Sequence, residues 1–274
     1  MRTVTVGNVE ILPLLDTRLL GSPELFMPAH ADQFRSEYPH LFDERGLLQL
    51  SITCFLVRSA GKTWLIDTGL GNRRRPNFPV GRLDEALREA GVRPEEIDHV
   101  VHTHLHVDHV GWNTVEGERG PEPFFPRAEF HVQRAEWEFW MQPQFLDSGE
   151  HPHLRECVKP IEDRTRFHDG EESLDEHLVF IATPGHTPGH VSIGIDAAGE
   201  RAVIIGDVSH HPVQLDHPDW SPIFDVDPEQ AARTRARMFD WAAEEQRIWL
   251  AGHWPESGVG RILRVDGKRT FRAL

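Results

Sequence analysis

The 274-residue chain is predicted to be a mixed α/β protein made of two similar halves, and three observations carry the prediction. Short runs rich in apolar and β-branched residues, such as Ile97 to Val101, Leu178 to Ala182 and Ala202 to Ile205, have the length of strands and not of helices. Segments of helical periodicity separate them. In both halves the strands run out at histidine or aspartate, so each half delivers the same kind of side chain to the ends of its sheet.

Taken in order, residues of about 3–16 and 50–67 contain β-rich runs, with Ser59-Ala60-Gly61-Lys62 as the turn between Cys54-Phe55-Leu56-Val57 and Trp64-Leu65-Ile66. Between them, Gly21 to Gly46 lacks clear periodicity and carries Phe26, Met27, Phe34, Tyr38 and Phe42 among many charges. A connection this long inside a compact domain is usually functional, so 21–46 is read as a lid or a dimer arm. Leu83, Ala86, Leu87 and Ala90 mark a short helix ending at Gly91, which makes a β–α–β step into the strand at 97–101. Ala128 to Val132 reads as a strand and Glu136 to Trp140 as the start of a helix. His151 and His153 fall in a polar loop and are expected to be exposed. A long helix is expected from about Pro228 to Glu245, with Ala232, Ala236, Phe239 and Ala243 on one face. Ile248-Trp249-Leu250 follows, and Asp266-Gly267 signals a closing hairpin.

The centre of the sequence is His102-Thr103-His104-Leu105-His106-Val107-Asp108-His109, four histidines and one aspartate in eight residues. Neutral imidazoles and a carboxylate suit zinc or a similar first-row ion. His104 and His106, two apart at a strand end, fall on the same side and can share one metal. Asp108 and His109 come after the chain turns, which points to a second metal beside the first.

His-x-His-x-Asp-His resembles the signature of the metallo-β-lactamase superfamily. Thr183-Pro184-Gly185-His186-Thr187-Pro188-Gly189-His190 resembles its second histidine loop, Gly206-Asp207 its bridging aspartate, Ala251-Gly252-His253 its last histidine, and Leu65-Ile66-Asp67-Thr68-Gly69 its early strand-turn motif. The resemblance implies an αββα sandwich, two mixed sheets face to face with helices on the outer faces, in a single domain over residues 1–274. It also implies a ligand set: His104, His106 and His186 on one metal, Asp108, His109 and His253 on the other, Asp207 bridging. The metals would be two divalent ions, zinc first, with manganese, iron or cobalt as alternatives. Asp67 is expected to orient a ligand histidine and His190 to support the loop by hydrogen bonding.

Composition narrows the partners. A net charge of −15, from 29 basic and 44 acidic residues, argues against a nucleic-acid backbone or an anionic membrane. No apolar run approaches the roughly 20 residues of a membrane span, and residues 1–20 show no signal-peptide pattern, so a cytoplasmic location is expected. Two cysteines make no disulfide framework, and Cys54 reads as a buried thiol. A homodimer is the assembly the 21–46 arm would serve.

The resemblance further implies a metal-bridging hydroxide as nucleophile, with Asp108 passing a proton to the leaving group. Among the branches, Asp207 stands where true β-lactamases often have cysteine, no helical domain follows His253 as in the glyoxalases, and His106 stands where the flavodiiron enzymes have glutamate. The overall pattern resembles the N-acyl homoserine lactonases, apart from His210 at a position where several of them place tyrosine; the stretch around Gly206 to His210 is closer to the methyl parathion hydrolases. The expected activity is therefore hydrolysis of a lactone or carboxylic ester with an apolar part, with His210 meeting the substrate and Phe26, Phe34, Phe42 and Trp112 around it. A phosphotriester is the alternative substrate, and a mono-iron persulfide dioxygenase a more remote alternative.

Overall fold

The computed structural model describes residues 2–255 and 258–274, and two mixed sheets dominate it. In the first half, β1 (Val4–Val6), β2 (Val9–Gly21), β3 (Leu48–Ser59) and β4 (Lys62–Ile66) form an antiparallel meander. After α1 (Pro23–Phe26) and α2 (Ala31–Glu37), inserted between β2 and β3, and α3 (Leu83–Glu89), β5 (His99–Val101) joins β4 in parallel. A one-turn helix α4 (Val107–Val110) and a separate hairpin, β6 (Thr114–Gly117) with β7 (Gly120–Pro123), precede β8 (Glu129–Gln133). Two short helices, α5 (Arg134–Trp140) and α6 (Pro143–Leu146), then lead to β9 (Thr165–His168), and β8 and β9 extend the sheet in parallel.

The second sheet is ordered β10 (Leu178–Ala182), β11 (Val191–Ala197), β12 (Glu200–Ile204), β13 (Ile248–Leu250), β14 (Val259–Val265) and β15 (Lys268–Ala273). Only β12 and β13 pair in parallel, because α7 (Pro228–Glu244) lies between them in the chain. Asp227 caps that helix by accepting from the Gln230 amide at 2.9 Å, and Pro228 fills its first turn. The Asp266-Gly267 hairpin forms as expected, with Val265 opposite Lys268 and both loop residues at positive φ.

The alternation of each strand decides which core it feeds. Phe55, Val57, Trp64, Ile66 and Val101 of the first sheet meet Phe180, Ile193, Ile204, Ile248 and Leu250 of the second between the sheets. Their neighbours Cys54, Leu56, Leu65 and Val100 point outward onto Leu83 and Leu87 of α3. Val203 and Trp249 point outward onto Met238, Phe239 and Ala242 of α7. Helix, sheet, sheet, helix is the resulting order of layers, the αββα sandwich.

The segment at 22–42, unreadable from periodicity, folds into α1, α2 and two 3-10 turns. Phe26, Met27 and Phe34 bury themselves with Leu48, Leu50, Val213 and Trp220, so this segment is docked on the loop that follows β12. His153, expected to be exposed, is buried; its ring Nε2 lies 3.2 Å from the Leu105 carbonyl, which gives the polar ring a partner inside.

Candidate metal centre

The strand ends that face one edge of the sandwich bring seven side chains together. Beyond β5 the chain stays extended to His106, then turns into α4, so His104 and His106 leave from one side and Asp108 and His109 from the next turn. His186 comes from the loop between β10 and β11, Asp207 from the turn after β12, and His253 from the turn after β13. Gly206 makes the turn before Asp207 with φ of 53°, and a Cβ there would lie 2.7 Å from His190 Nε2. The close approach admits only glycine.

Three imidazole nitrogens form a triangle: His106 Nδ1 lies 3.0 Å from His104 Nε2 and 2.9 Å from His186 Nε2. Asp207 Oδ2 is 3.6 Å from His104 Nε2 and 3.2 Å from His186 Nε2. Its other oxygen, Oδ1, is 3.2 Å from His109 Nε2 and 3.0 Å from His253 Nε2. Asp108 stands beside this second pair, at 3.8 Å from His109 and 3.6 Å from His253. The two oxygens of one carboxylate thus divide the cluster into two sets.

The far side of each ring fixes what the near side offers. His109 Nδ1 donates to Asp67 at 2.8 Å, His186 Nδ1 to Asp225 at 2.8 Å, and His253 Nδ1 to the Ser51 carbonyl at 2.8 Å. His104 Nδ1 meets Thr103 Oγ1 at 3.1 Å, whose own proton goes to Asp67 at 2.7 Å. With one nitrogen donating outward, the other presents a lone pair to the centre. Lone pairs facing one another at about 3 Å repel unless a cation lies among them, and His109 Nε2 and Asp207 Oδ1 are buried without any hydrogen bond.

The electrostatics agree with that reading at His104 and His106, whereas at His109, His186 and His253 burial opposes charge but the carboxylates beside them outweigh it and raise those rings, which hold a proton until a cation takes its place. Burial and neighbouring imidazoles hold His104 and His106 well below the usual histidine range, keeping them neutral and fit to ligate. Burial also works against charge on His186, but Asp207 and Asp225 outweigh it and pull it up to about 9. The carboxylates call for positive charge at the centre, and a divalent ion supplies it. The donors suit a divalent ion and fall in two groups, His104, His106 and His186 beside Asp207 Oδ2, and Asp108, His109 and His253, with Asp207 Oδ1 against the latter two rings.

Comparison with known proteins places this arrangement. The metallo-beta-lactamase superfamily matches residues 48–245, most of the chain. The chain belongs to the metallo-beta-lactamase superfamily. An N-acyl homoserine lactonase of Bacillus cereus is 26% identical over 233 residues, 78% of this chain and 86% of that protein. The N-acyl homoserine lactonase AttM of Rhizobium radiobacter is 26% identical over 188 residues, 65% of each chain. Among solved structures, the hydrolase AbOPH superposes with a TM-score of 0.86 at 29% identity, covering 99% of this chain and 96% of that one. AidC, a dizinc quorum-quenching lactonase, shares the fold with a TM-score of 0.86 at 23% identity, covering 100% and 97%. The chain is a lactonase-like hydrolase of the superfamily.

The other candidate residues fall in different places. His190 accepts from the Asp207 amide at 2.9 Å and meets Thr183 Oγ1 at 2.8 Å, so both its nitrogens are engaged in holding the turns that carry His186 and Asp207 together. His210 stands inside the cluster, its Nε2 at 3.2 Å from Asp207 Oδ2 and its ring stacked parallel to His253 at 5.5 Å. Trp112 is a core residue instead of a pocket wall: it is buried under Phe124 and its indole donates to Asp16 at 2.9 Å. Phe34 is likewise enclosed, by Tyr38, Phe42, His211 and Trp220.

Sequence reasoning missed three supports of the site. Asp225 orients His186 and pairs with the buried Arg235 guanidinium at 3.1 Å. Glu136 is buried and accepts from the Leu105 amide, the Gly189 amide and the Trp140 indole at 3.0, 3.0 and 2.8 Å, tying the first histidine loop to the second. Thr103 relays Asp67 to His104. The signal for Glu136 was a lone charge at the end of an aromatic helix face, Trp137 and Trp140; Asp225 had none.

Proposed function

We propose that the protein is a dinuclear metal-dependent hydrolase acting on a lactone or carboxylic ester that has an apolar part. The observation that carries the reading is the division of the seven ligands into two sets by the two oxygens of Asp207. When bound, two divalent ions at these sets would lower the pKa of water from about 15.7 toward 7 and polarise the carbonyl under attack.

The chain's own groups account for the remaining needs of such a reaction. Asp108 is the carboxylate of the cluster with most access to solvent, which suits it to hold a proton and release it to the departing alkoxide. His210, with Nδ1 buried and unpartnered, can turn that nitrogen to a substrate oxygen or serve as a further ligand. Beside His186, the backbone carries an apolar rim: Leu25, Ile223, Phe224 and Val226 are all exposed, Ile223 being 56% accessible. Val226 donates its amide to the His186 carbonyl at 3.0 Å and Ile223 to the Leu25 carbonyl at 3.0 Å, so the rim is fixed to the site. An acyl chain is the kind of group such a rim receives. The lactonase relatives support this choice of substrate.

The test is kcat/KM of the zinc-loaded protein on an acyl homoserine lactone, an aryl ester and an aryl phosphotriester. Preference for the lactone or ester by about 100-fold or more, lost in His106→Ala, is expected. Preference for the phosphotriester would replace this reading with the alternative, and oxygen uptake on a persulfide with a single iron per chain would overturn it.

A further inference from the structure

We propose that His99, Glu129 and His131 form a separate site for a divalent transition-metal ion, at the opposite strand ends from the candidate centre. His99 and Glu129 are cross-strand partners at the first residues of the parallel strands β5 and β8, whereas the candidate ligands follow the last residue of β5. His131, two residues along β8, shares their face. All three ligand atoms lie within 4.8 Å of one another.

The internal standard is the candidate centre itself. His99 Nδ1 lies 3.0 Å from His131 Nε2, with Glu129 Oε2 at 3.8 Å from the first and 3.5 Å from the second. In the candidate centre, His104 and His106 nitrogens are 3.0 Å apart, and Asp207 Oδ2 is 3.6 Å from His104. The imidazole–imidazole distance is the same in both places, and the carboxylate stands at a similar distance from a ring nitrogen in each. Ligand atoms about 2.0–2.2 Å from a tetrahedral ion sit roughly 3.3–3.6 Å from each other, so the two rings need to part by a few tenths of an ångström to admit one.

Behind His131 runs the outward chain expected of a ligating histidine. His131 Nδ1 is 3.0 Å from His168 Nε2, and His168 Nδ1 is 2.9 Å from Glu172 Oε2. The Glu172 carboxylate takes the His168 Nδ1 proton, so His168 Nε2 must accept from His131 Nδ1. His131 Nε2 is left with its lone pair facing His99. The His99 ring is held by stacking on Trp64 at 4.0 Å between centroids. Without an ion, His99 Nδ1 donates to that lone pair; an ion replaces this one hydrogen bond, and the His99 proton moves to Nε2 with no net proton released.

Access and charge both favour a cation. The Glu129 side chain is 49% accessible and that of His99 21%, leaving an open side for the ion and its water. Asp98 and Asp175 both make the potential at His99 more negative and so favour a cation there; Lys62 opposes them but is drawn to Asp98 at 3.5 Å. Arg166, which opposes at His131, is drawn to Glu172 at 3.3 Å. Two imidazoles and one carboxylate are the donor set of zinc, cobalt, nickel or copper, with the fourth position left to water.

The experiment starts from zinc-saturated protein, with ions counted by atomic emission after equilibration against micromolar free zinc. Wild type is expected to carry one ion more than His99→Ala or Glu129→Ala, both partly exposed and tolerant positions, while hydrolysis by the candidate centre stays unchanged. His168→Phe is expected to weaken the extra ion about 10–100-fold by freeing the His131 tautomer. As a second readout, cobalt added to protein given only two equivalents of zinc, which leaves the weaker extra site empty, should quench tryptophan fluorescence saturably, and Trp64→Phe should remove that component. An equal ion count in wild type and both variants, or quenching that persists in His99→Ala, would overturn the assignment.

Discussion

A histidine ligates only when its second nitrogen has somewhere to donate, and the acceptors here are drawn from far along the chain. Asp225 is 39 residues from His186 in sequence yet fixes its ring at 2.8 Å. Burial pushes the Asp225 carboxyl up, but the His186 hydrogen bond and the Arg235 charge prevail and hold it at about 2. Asp225→Asn is therefore expected to lower the affinity of the first metal set by about 10–100-fold, measured by competition with a chromophoric chelator. Turnover per bound metal pair should change much less. The same substitution strips the buried Arg235 of its counter-charge, at about 3–5 kcal/mol in urea unfolding. Unchanged metal affinity together with the stability loss would show that Asp225 serves Arg235 alone. That the proposed ligands converge was legible because histidines at spacing two and strand-end aspartates have few other uses. Asp225 was not, because an aspartate before a helix start reads as a cap; the actual cap is Asp227.

Strands were legible for the reason that makes them stable here: both faces pack against neighbouring layers, so Leu178 to Ala182 and Ala202 to Ile205 read as continuous apolar runs. The segment at 22–42 was not, since its helices of four and seven residues are too short for periodicity to show and stand by tertiary contact alone. Phe34 is the centre of that contact, its ring edge-on to Phe42 at 4.9 Å, Trp220 at 5.7 Å and His211 at 6.1 Å. Phe34→Ala is expected to cost about 3–5 kcal/mol where the segment unfolds with the rest of the molecule. If the segment opens independently, hydrogen exchange should rise over 22–47 and 211–220 with a smaller global loss. In either case the loop bearing His210 loses its backing, and KM for an acyl substrate should rise several-fold. Unaltered KM and exchange would show that the segment contributes nothing to the site.

At the scale of the whole molecule, metal bound as proposed would join the two halves, because His104, His106, Asp108 and His109 come from the first and His186, Asp207 and His253 from the second. Ions that bind the folded chain stabilise it by their binding free energy, so chelation is expected to lower Tm by about 10 °C or more, reversibly on adding zinc. A second whole-molecule term is independent of metal. The register of β2 slips between Leu15 and Thr17, and the slip turns Asp16 inward. Its carboxylate accepts from the Leu70 amide, the Leu83 amide at the start of α3 and the Trp112 indole, at 2.8, 2.8 and 2.9 Å. Burial outweighs these bonds and raises its pKa from 3.8 to about 6. The unfolded chain releases this proton near pH 4, while the folded chain keeps it to about pH 6. Between those values the folded state binds more protons, so the stability contributed by Asp16 falls as pH rises through that window and levels off above it. Two pKa units correspond to roughly 3 kcal/mol. The advantage of wild type over Asp16→Asn in urea unfolding should therefore shrink by about 2–3 kcal/mol from pH 4 to pH 7, with chelator present throughout so that metal release adds no slope of its own. An advantage that stays flat or grows with pH would mean that the three donors hold Asp16 ionised against its burial, and that the slip in β2 stabilises a charge instead of a proton.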